Sequence, residues 1–491
     1  MLFPHCFMVA VLFVLIAATP APAQVAVQHK APESVSELAD GLLGAVVNIS
    51  TSQTVKGTEE TANPPAVQEP DGSPFQEFFQ DFFSGKDGRQ QSRKVQSLGS
   101  GFVVDAQEGL IVTNNHVIAE ADDIEVNFTD GAKLKARLLG KDPKTDLALL
   151  KIDPAVKKLT AVEFGNSEQA RIGDWVMAIG NPFGFGGTVT LGIISARNRN
   201  INAGPYDDFI QTDASINRGN SGGPLFDMNG KVIGINTAII SPSGGSIGIG
   251  FAIPAEMAVS VINQLKRFGE TRRGWLAIRI QPVTADVAQS LGLARAEGAL
   301  VSGKIKDTRV DNRELQDGDV IIRFGDKPVR DARTLPRIVA ESPVDQIVQV
   351  VVLRDGKEKT VRVRLGLLEE KKSVNKEAAG DGEGEGAAFE KVDARILGMQ
   401  LGEMNDEIRE KYSVAKNISG VVVLSVALGS SADEKRIRPG NVIVDINQAV
   451  VKTPDDVEKR VASLRDTGRK NVLLMVVVPA GELRFVALQL D

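Results

Sequence analysis

Between residues 98 and 255 the sequence alternates short apolar stretches with turns rich in glycine and aspartate. Short runs of Val, Ile, Leu and Phe bounded by such turns are typical of strands. The stretches read GSGFVVDAQEGLIVT, DIEVNFTDGAKLKARLLG, LALLKI, WVMAIG, GTVTLGIISA, KVIGINTAI and GIGFAI. This region therefore predicts an all-β sandwich or a pair of barrels, and the helical period of PAEMAVSVINQLKRFG (254–269) predicts a closing helix that ends at Gly269.

Two later segments resemble each other. In the first, LQDGDVIIRFGDKPVRDARTLPRIVAES has a glycine, Val-Ile, a strand that ends in a turn, and a helix; IRPGNVIVDINQAVVKTPDDVEKRVASL repeats this order in the second. We expect 274–368 and 390–491 to be two copies of one small α+β domain, which are too few for a solenoid. Residues 369–389 are charged and glycine-rich with almost nothing to bury, which is typical of a flexible linker.

Length and composition narrow the classes of function. A chain of 491 residues is long enough for about three domains. Its net charge of −6 argues against a nucleic-acid-binding protein, which usually carries a basic stripe. The sequence contains no P-loop pattern, and its three histidines and one cysteine are too few for a metal-ligand cluster. The sequence therefore predicts neither a cofactor nor a metal site.

The first 23 residues predict a signal peptide. An apolar run that ends at Ala18 is followed by the small-x-small cleavage pattern Ala-Pro-Ala at 21–23. The run is short for a membrane span, although the absence of Lys and Arg before it leaves an uncleaved anchor as the alternative. Cleavage would remove Cys6, the only cysteine, so we expect an exported protein without disulfides and without a stable membrane span.

Two segments in or before the predicted first domain, 41–270, are not strand-like. Residues 24–40 are polar and predict a mobile N-terminal arm, and residues 52–97 form a long irregular insert of the kind that is often functional. Within this insert PFQEFFQDFF places phenylalanines at helical spacing, at Phe75, Phe78, Phe79, Phe82 and Phe83. The two interpretations are a short helix packed on its own domain and an exposed patch that docks on another subunit or on substrate.

The stretch INRGNSGGPL (216–225) places Ser221 among three glycines. A serine hydroxyl becomes a nucleophile only when a base within hydrogen-bond reach takes its proton, and histidine is the usual base. His5 lies in the signal segment and His29 in the predicted arm, whereas His116 follows the strand-like stretch GLIVT. His116 is therefore the candidate base for Ser221.

A buried carboxylate would orient such a histidine and stabilise its protonated form. Asp146 directly precedes the apolar stretch LALLKI, whereas Asp142, Asp153 and Asp174 resemble turn residues, so spacing gives Asp146 a modest preference.

The glycines of this stretch suit an oxyanion hole, because backbone N–H groups must point at the oxygen on which charge develops. Gly219 and Ser221 are the candidate donors of that hole, with Asn220 and Arg218 shaping the loop.

Several motifs together resemble the HtrA/Do (DegP-like) family of serine endoproteases. They are TNNHVI, TDLALLKI, GNPFGFGGTVTLGIISA, FIQTDASINRGNSGGPL and GIGFAIP, and the resemblance extends from about residue 35 to residue 491. It implies a mainly β chain, with a trypsin-like double β-barrel followed by two α+β PDZ domains, and it carries Asp146 over as the third member of a triad with His116 and Ser221. It also implies that Ile216, Ile239 and Ile240 line a primary specificity pocket for small aliphatic residues such as Val or Ala.

The resemblance further implies the partners of this chain. A PDZ domain captures the C-terminal carboxylate of an extended peptide on backbone N–H groups, and the matching loop of the first PDZ domain is Gly274-Trp275-Leu276-Ala277, with Ala277 where the family often has glycine. In the second PDZ domain the matching loop is at 397–400. The Gly-Asp turn of the first domain, in LQDGDVII, is replaced by Gly-Asn in IRPGNVIV of the second domain. Carboxylate capture is therefore less expected in the second domain, and a role in assembly is the alternative.

From the same family we expect a periplasmic, ATP-independent endoprotease for unfolded proteins that assembles as a trimer or a multiple of trimers. The alternative is a chaperone or peptide-binding scaffold with minor catalysis; such a protein is expected to lose a triad residue, and this sequence keeps all three.

Overall fold

The structure is a computed structural model, and it describes residues 32–54, 94–119, 121–181, 186–217, 219–240, 246–305, 309–354, 356–369, 396–447, 449–479 and 481–490. The predicted signal peptide, the phenylalanines of the insert, Arg218 and nearly all of the predicted linker lie outside these residues. Among the helices of the described residues, none is both long and apolar enough to cross a membrane.

The predicted first domain contains two closed barrels of six strands each. The strand order of the first barrel is β1-β2-β3-β6-β5-β4, with bounds β1 Val46–Thr54, β2 Lys94–Asp105, β3 Leu110–Thr113, β4 Asp123–Asn127, β5 Lys133–Asp142 and β6 Leu147–Lys151. The order of the second is β10-β11-β12-β9-β8-β7, with bounds β7 Trp175–Gly180, β8 Thr188–Arg199, β9 Phe209–Thr212, β10 Pro224–Phe226, β11 Val232–Ile239 and β12 Gly250–Pro254. The mainly β prediction for this region is thereby confirmed. Of the two predicted architectures, a sandwich and a pair of barrels, the structure has the pair of barrels.

The two barrels share one core. A single buried cluster joins Phe102 and Leu149 of the first barrel to Met177 and Phe226 of the second, with helix α2 (Ala255–Phe268) packed against it. Helix α2 ends at Gly269, whose φ of 74° is a left-handed conformation that glycine adopts without strain. The closing helix therefore follows the sequence prediction, and the cleft between the barrels is held on a continuous apolar base.

The N-terminal arm differs from its prediction. Residues 24–40 were expected to be mobile, but helix α1 (Ser36–Leu43) contains the last five of them. Ala39 is buried, and Leu38 and Leu42, one helical turn apart, pack against the shared core. Burial of these few apolar residues is enough to order a short helix. The stretch is too short for its hydrophobic periodicity to indicate that helix in the sequence.

The insert is also shorter than its predicted bounds of 52–97. Strands β1 and β2 pair without interruption from Val46 opposite Phe102 to Thr54 opposite Lys94. Polar residues at the barrel rim continue the ladder because their backbone groups pair regardless of side-chain hydrophobicity.

The two PDZ domains follow with one shared topology. In the first, the sheet order is β14-β15-β16-β18-β19 with β17 beside β16, and its elements are β13 Gly274–Trp275, β14 Ile278–Pro282, α3 Ala285–Leu291, β15 Ala299–Lys304, β16 Val320–Phe324, β17 Lys327–Pro328, α4 Thr334–Glu341, β18 Ile347–Arg354, β19 Lys357–Arg364 and β20 Gly366–Leu367.

The second PDZ domain has the order β21-β22-β23-β25-β26 with β24 beside β23, from β21 Met399–Glu403, α5 Asp406–Lys411, β22 Val421–Val426, α6 Ser431–Glu434, β23 Val442–Ile446, β24 Ala449–Val450, α7 Pro454–Asp466, β25 Asn471–Val477 and β26 Leu483–Gln489. Both domains also place a bulge in the first strand and another in the third. The internal repeat seen in the sequence is thus a repeat of register as well as of strand order.

Candidate active site

His116 and Asp146 meet at the edge of the first barrel. His116 begins a short 3₁₀ helix, His116–Ile118, which two residues separate from β3, and Asp146 directly precedes β6. The Nδ1 atom of His116 lies 2.7 Å from Oδ2 of Asp146, and the backbone N–H of His116 donates to Oδ1 at 2.9 Å. The carboxylate therefore holds both the ring and the backbone of the histidine, which fixes the orientation of the imidazole.

The backbone of Asp146 is left-handed, with φ of 54°, a conformation that aspartate tolerates better than most residues. Its carbonyl oxygen accepts from Nδ2 of Asn114 at 2.8 Å and from the N–H of Asn115 at 3.1 Å. The hydroxyl of Thr237 on β11 donates to Oδ2 at 2.6 Å. Sequence reasoning missed Thr237, because nothing in KVIGINTAI distinguishes it from its neighbours; only the fold brings it to the carboxylate.

The other aspartates weighed in the sequence lie elsewhere. Asp142 is buried and pairs with the buried guanidinium of Arg273. Asp153 accepts a turn hydrogen bond from the N–H of Ala155, and Asp174 pairs with Arg171 on the surface.

Ser221 lies in the loop between β9 and β10, on the second barrel's side of the cleft, and its residue is 6% exposed. Its Oγ lies 3.4 Å from the carbonyl oxygen of Thr237. Thr237 therefore contacts both Ser221 and Asp146, and it ties the serine loop to the carboxylate that holds His116.

A fully buried serine of the first barrel fixes this loop. The backbone N–H of Ser100 donates to the carbonyl of Ser221 at 2.8 Å, and its hydroxyl donates to the carbonyl of Gly219. The same hydroxyl accepts from the N–H of Asn181 at 2.8 Å, and the carbonyl of Ser100 accepts from the hydroxyl of Thr113 at 2.7 Å. Ser100 thus binds segments of both barrels, and no local sequence pattern indicates this role.

The glycines of the loop allow its close approach to the histidine segment. Gly222 has φ of 83°, and a Cβ there would lie 2.5 Å from the hydroxyl oxygen of Thr113 and 3.0 Å from the backbone nitrogen of Asn114. Gly219 has φ of 102°. A larger residue at either position would be strained.

The three candidate oxyanion-hole residues differ in their hydrogen bonds. The N–H of Asn220 donates to the carbonyl of Asn217 at 3.0 Å, so it closes a turn. No acceptor is recorded for the N–H of Gly219 or of Ser221 within the described part of the chain. The backbone donors that remain for a ligand are therefore those of Gly219 and Ser221, and Asn220 shapes the loop.

The branched apolar residues expected to form a specificity pocket lie beside this loop. Ile216 is buried and Ile239 packs against the same cluster. A Cβ at Gly250 on β12 would lie 2.7 Å from Cγ1 of Ile216, so glycine is needed for the strand to approach that side chain. Ile240 is 47% exposed, and its N–H donates to the carbonyl of Ile249.

The loop expected to bind peptides precedes β14. Gly274 is buried, and a Cβ there would lie 2.5 Å from the carbonyl oxygen of Val339 on α4. Trp275 pairs with β20, Leu276 is buried, and Ala277 is left-handed with φ of 51°. Ala277 adopts the conformation that explains why glycine suits this position.

A side chain that the sequence did not single out holds this loop in place. Nδ2 of Asn312 donates to the carbonyl of Leu276 at 2.8 Å and to that of Ala277 at 3.3 Å. Asn312 belongs to the stretch TRVDNREL.

Polar contacts join the double-barrel domain to the first PDZ domain. Asp142 accepts from the hydroxyl of Thr145, the residue before Asp146, and pairs with Arg273, the residue before Gly274. The guanidinium of Arg273 also lies 4.8 Å from the ring centroid of Tyr206. On helix α4, Arg337 pairs with Asp208 at 2.8 Å.

Comparisons with known proteins agree with this architecture. Residues 99–235 match the trypsin-like peptidase domain family and residues 277–365 match the PDZ domain family. A protein of Brucella suis biovar 1 (strain 1330) named "Probable periplasmic serine endoprotease DegP-like" is 40% identical over 93% of this chain and 89% of its own length. A protein of the same name from Rhizobium meliloti (strain 1021) is 38% identical over 98% of each chain.

A solved structure titled "HtrA-type protease AlgW with tripeptide" is also similar. It has a TM-score of 0.55 and 40% identity, and the match covers 69% of this chain and 98% of that one. The double barrel, the PDZ domains and identities near 40% over nearly the full length lead to one conclusion: the chain belongs to the DegP-like family of HtrA-type serine endoproteases.

Proposed function

We propose that this protein degrades unfolded proteins in the periplasm, without ATP, by an acyl-enzyme mechanism. The observation that carries the proposal is the pair of hydrogen bonds from His116 to Asp146, with Ser221 joined to the same carboxylate through Thr237. The printed names of the relatives and the predicted signal peptide support a periplasmic location.

In the first half of the reaction, Asp146 accepts a hydrogen bond from the Nδ1–H of His116, and the proton stays on Nδ1, which leaves Nε2 as the proton acceptor. The Ser221 hydroxyl turns from the Thr237 carbonyl toward Nε2, and its proton moves to the imidazole as Oγ attacks the scissile carbonyl carbon. The negative charge on the carbonyl oxygen is stabilised by the N–H groups of Gly219 and Ser221, and losing one such donor typically costs about 10²–10³ in rate.

In the second half, the His116 imidazolium gives its proton to the leaving amine, and the acyl group stays on Ser221. A water molecule then loses a proton to His116 and attacks the ester carbon. The bond from that carbon to Oγ breaks, His116 returns the proton to Oγ, and the new carboxyl end leaves while the Ser221 hydroxyl is restored. Asp146 stabilises the imidazolium in both halves without taking up the proton.

The substrate residue before the cut is expected to be small and aliphatic. Ile216 and Ile239 supply a branched apolar wall, with Ile240 toward the solvent. No carboxylate stands at these positions to attract Lys or Arg. A peptide series with Val, Ala, Lys and Phe at that position tests this, and we expect the highest kcat/KM for Val or Ala.

The first PDZ domain is proposed to bind peptide C-termini at the loop Gly274-Trp275-Leu276-Ala277. The protein is also proposed to assemble as a trimer or a multiple of trimers, with the insert between β1 and β2 reaching a neighbouring subunit. Analytical ultracentrifugation of the mature chain should show masses that are multiples of three subunits. A stable monomer at micromolar concentration would contradict the assembly.

The test of catalysis is degradation of casein by the mature chain without ATP. Ser221→Ala should abolish cleavage, and Asp146→Asn, which keeps the size of the side chain, should lower kcat by about 10⁴. The matched control is Ser215→Ala, because Ser215 is an exposed serine on the same loop and takes no part in the proposed chemistry. If the wild type fails to cleave, even with a C-terminal peptide present, and suppresses casein aggregation instead, the chaperone alternative takes the place of the protease.

A further inference from the structure

A cluster of three arginines, Arg436, Arg438 and Arg484, lies on the second PDZ domain; we call it the arginine cluster. The guanidinium of Arg484 is half-buried, donates to the carbonyl of Arg436, and leaves its Nε buried without a partner among the described residues. Arg438 is exposed and pairs with Asp433 at 2.9 Å. Arg436 is exposed, and no ion pair is recorded for it within the described ranges.

The cluster is short of negative charge. Burial lowers the pKa of the Arg484 guanidinium, and the charges of Arg438 and Arg436 lower it as well, while Glu482 opposes this. An anion that approaches such a group of like charges lowers its electrostatic free energy.

Two contacts locate the arginine cluster beside the first PDZ domain. Lys435, which precedes Arg436, pairs with Asp286 at 3.0 Å. The N–H of Phe485, which follows Arg484, donates to Oε1 of Gln281 at 2.7 Å. Gln281 is the fourth of the five residues of β14, and Asp286 lies on helix α3, four residues beyond the end of that strand. The arginine cluster therefore lies near the C-terminal end of β14.

The contact between the two PDZ domains is well packed. Leu300 and Val320, on the face of the first domain's sheet that points away from α4, form one buried cluster with Leu473 and Phe485 of the second domain. This apolar contact holds the arginine cluster in a fixed position relative to β14.

Strand β14 is the strand on which a peptide ligand of the first PDZ domain would add. It is the first strand of the sheet order, and its second edge pairs with no strand among the described residues. With its carboxylate at the loop before β14, an added peptide runs antiparallel to Ile278–Pro282. At about 3.3 Å per residue, the five residues of β14 match the last five of the peptide, so residues further upstream emerge at Pro282.

We propose that the arginine cluster binds acidic side chains that lie upstream of the C-terminus of a peptide held by the first PDZ domain. The ligand class is therefore a polypeptide that ends in apolar residues and carries Asp or Glu about six to nine residues before its end. This inference rests on the proposed binding of C-termini by the first PDZ domain, and it adds the second PDZ domain as a source of specificity.

Three decapeptides serve as probes, each with a fluorophore at its N-terminus. The acidic peptide begins with four Asp and Glu residues, continues with a Gly-Ser-Gly spacer and ends in Val-Val-Phe. The neutral peptide carries Asn and Gln in place of the acids. The third is the acidic peptide with an amidated C-terminus. Affinities are measured by fluorescence anisotropy on the full mature chain with Ser221→Ala, which prevents cleavage.

We expect the acidic peptide to bind about tenfold more tightly than the neutral one at low salt. The difference should shrink as salt rises, because the Debye length falls from about 30 Å at 0.01 M to about 8 Å at 0.15 M. In the double variant Arg436→Gln/Arg438→Gln the preference should fall below about twofold. The control Arg465→Gln, on the exposed face of α7 in the same domain, should keep the full preference.

The results separate the two proposals. Equal affinities for the acidic and neutral peptides, or a preference that survives in the double variant, overturn the role of the arginine cluster. If the amidated peptide binds as tightly as its free-acid form, carboxylate capture by the first PDZ domain fails, whatever the preference for acids. If neither free-acid peptide binds, both proposals fail, and thermal unfolding of each variant shows whether it is folded.

Discussion

The two PDZ domains have the same strand order and the same bulges, but their carboxylate loops differ in hydrogen bonding. In the second domain the N–H of Met399, the first residue of β21, donates to the carbonyl of Ile396 at 2.8 Å. In the first domain the corresponding residue, Ile278, is flanked by ladder bonds at Ala277 and Arg279, so its N–H faces the free edge of β14. One of the donors that a peptide carboxylate needs is therefore already used in the second domain.

The turn before the third strand differs as well. In the first domain Asp319 is fully buried, and Arg354 binds its two oxygens at 2.6 and 2.7 Å. In the second domain Asn441 stands there, and its side chain accepts from the backbone N–H of Arg438 at 3.2 Å. Strand pattern thus sets the shared fold, whereas a few loop and turn residues distinguish the copy that is proposed to bind a carboxylate from the other copy.

The largest effect is expected from making the first domain resemble the second at this turn. Asp319→Asn removes the charge that Arg354 binds and leaves a mostly buried guanidinium without its carboxylate, which should destabilise the domain by about 3–5 kcal/mol. Hydrogen exchange of β16 and β18 in increasing urea measures this.

The control for Asp319→Asn is Asp311→Asn. Hydrogen bonds from Arg313 lower the pKa of Asp311 to about 2, but the pair is exposed, so no measurable loss of stability is expected. Equal urea midpoints for the two variants would contradict the structural role of Asp319.

A smaller effect is expected at the left-handed loop position. Gly398 has φ of 75°, and a Cβ there would meet the side chain of Ser430, with Oγ at 2.6 Å. Gly398→Ala should therefore destabilise the second domain by about 1–3 kcal/mol, as measured by hydrogen exchange of β22 and β23.

The reverse change, Ala277→Gly, should shift the stability of the first domain by less than about 0.5 kcal/mol. Relief of the left-handed strain at φ of 51° is offset by the greater freedom of glycine in the unfolded chain. A large loss of stability in Ala277→Gly, with no loss in Gly398→Ala, would contradict the expected order of the two effects.

The last effect concerns affinity rather than stability. Asn312→Ala removes the bonds to the carbonyls of Leu276 and Ala277, which leaves the loop less ordered before binding. We expect the affinity of the first domain for a C-terminal peptide to fall about three- to tenfold. Anisotropy with the neutral decapeptide measures this; an unchanged affinity would show that the Ile305 N–H, which also binds the Ala277 carbonyl at 2.7 Å, is enough to hold the loop.

Much of the fold could be predicted from the sequence because its signals are local. Runs such as WVMAIG and LALLKI became β7 and β6, and Gly269 ends α2. Helix α1 was missed because its few apolar residues gain their burial from strands far along the chain.

The candidate site divides in the same way. Ser221, His116 and Asp146 were found from glycine pattern, elimination and family motifs, whereas Thr237 and Ser100 were not found. Their hydrogen bonds join residues about 90 to 120 positions apart, and no local spacing encodes such a contact. The hydrogen bond of the Asn220 N–H was likewise visible only in the folded loop.

The most direct test of the catalytic account is labelling with a fluorophosphonate, which reacts with a serine only when that serine is activated. The account predicts a single adduct on Ser221 of the mature chain by mass spectrometry, strongly reduced in Asp146→Asn and absent in Ser221→Ala. Casein cleavage that continues in Ser221→Ala, or an adduct on a different serine in the wild type, would contradict it.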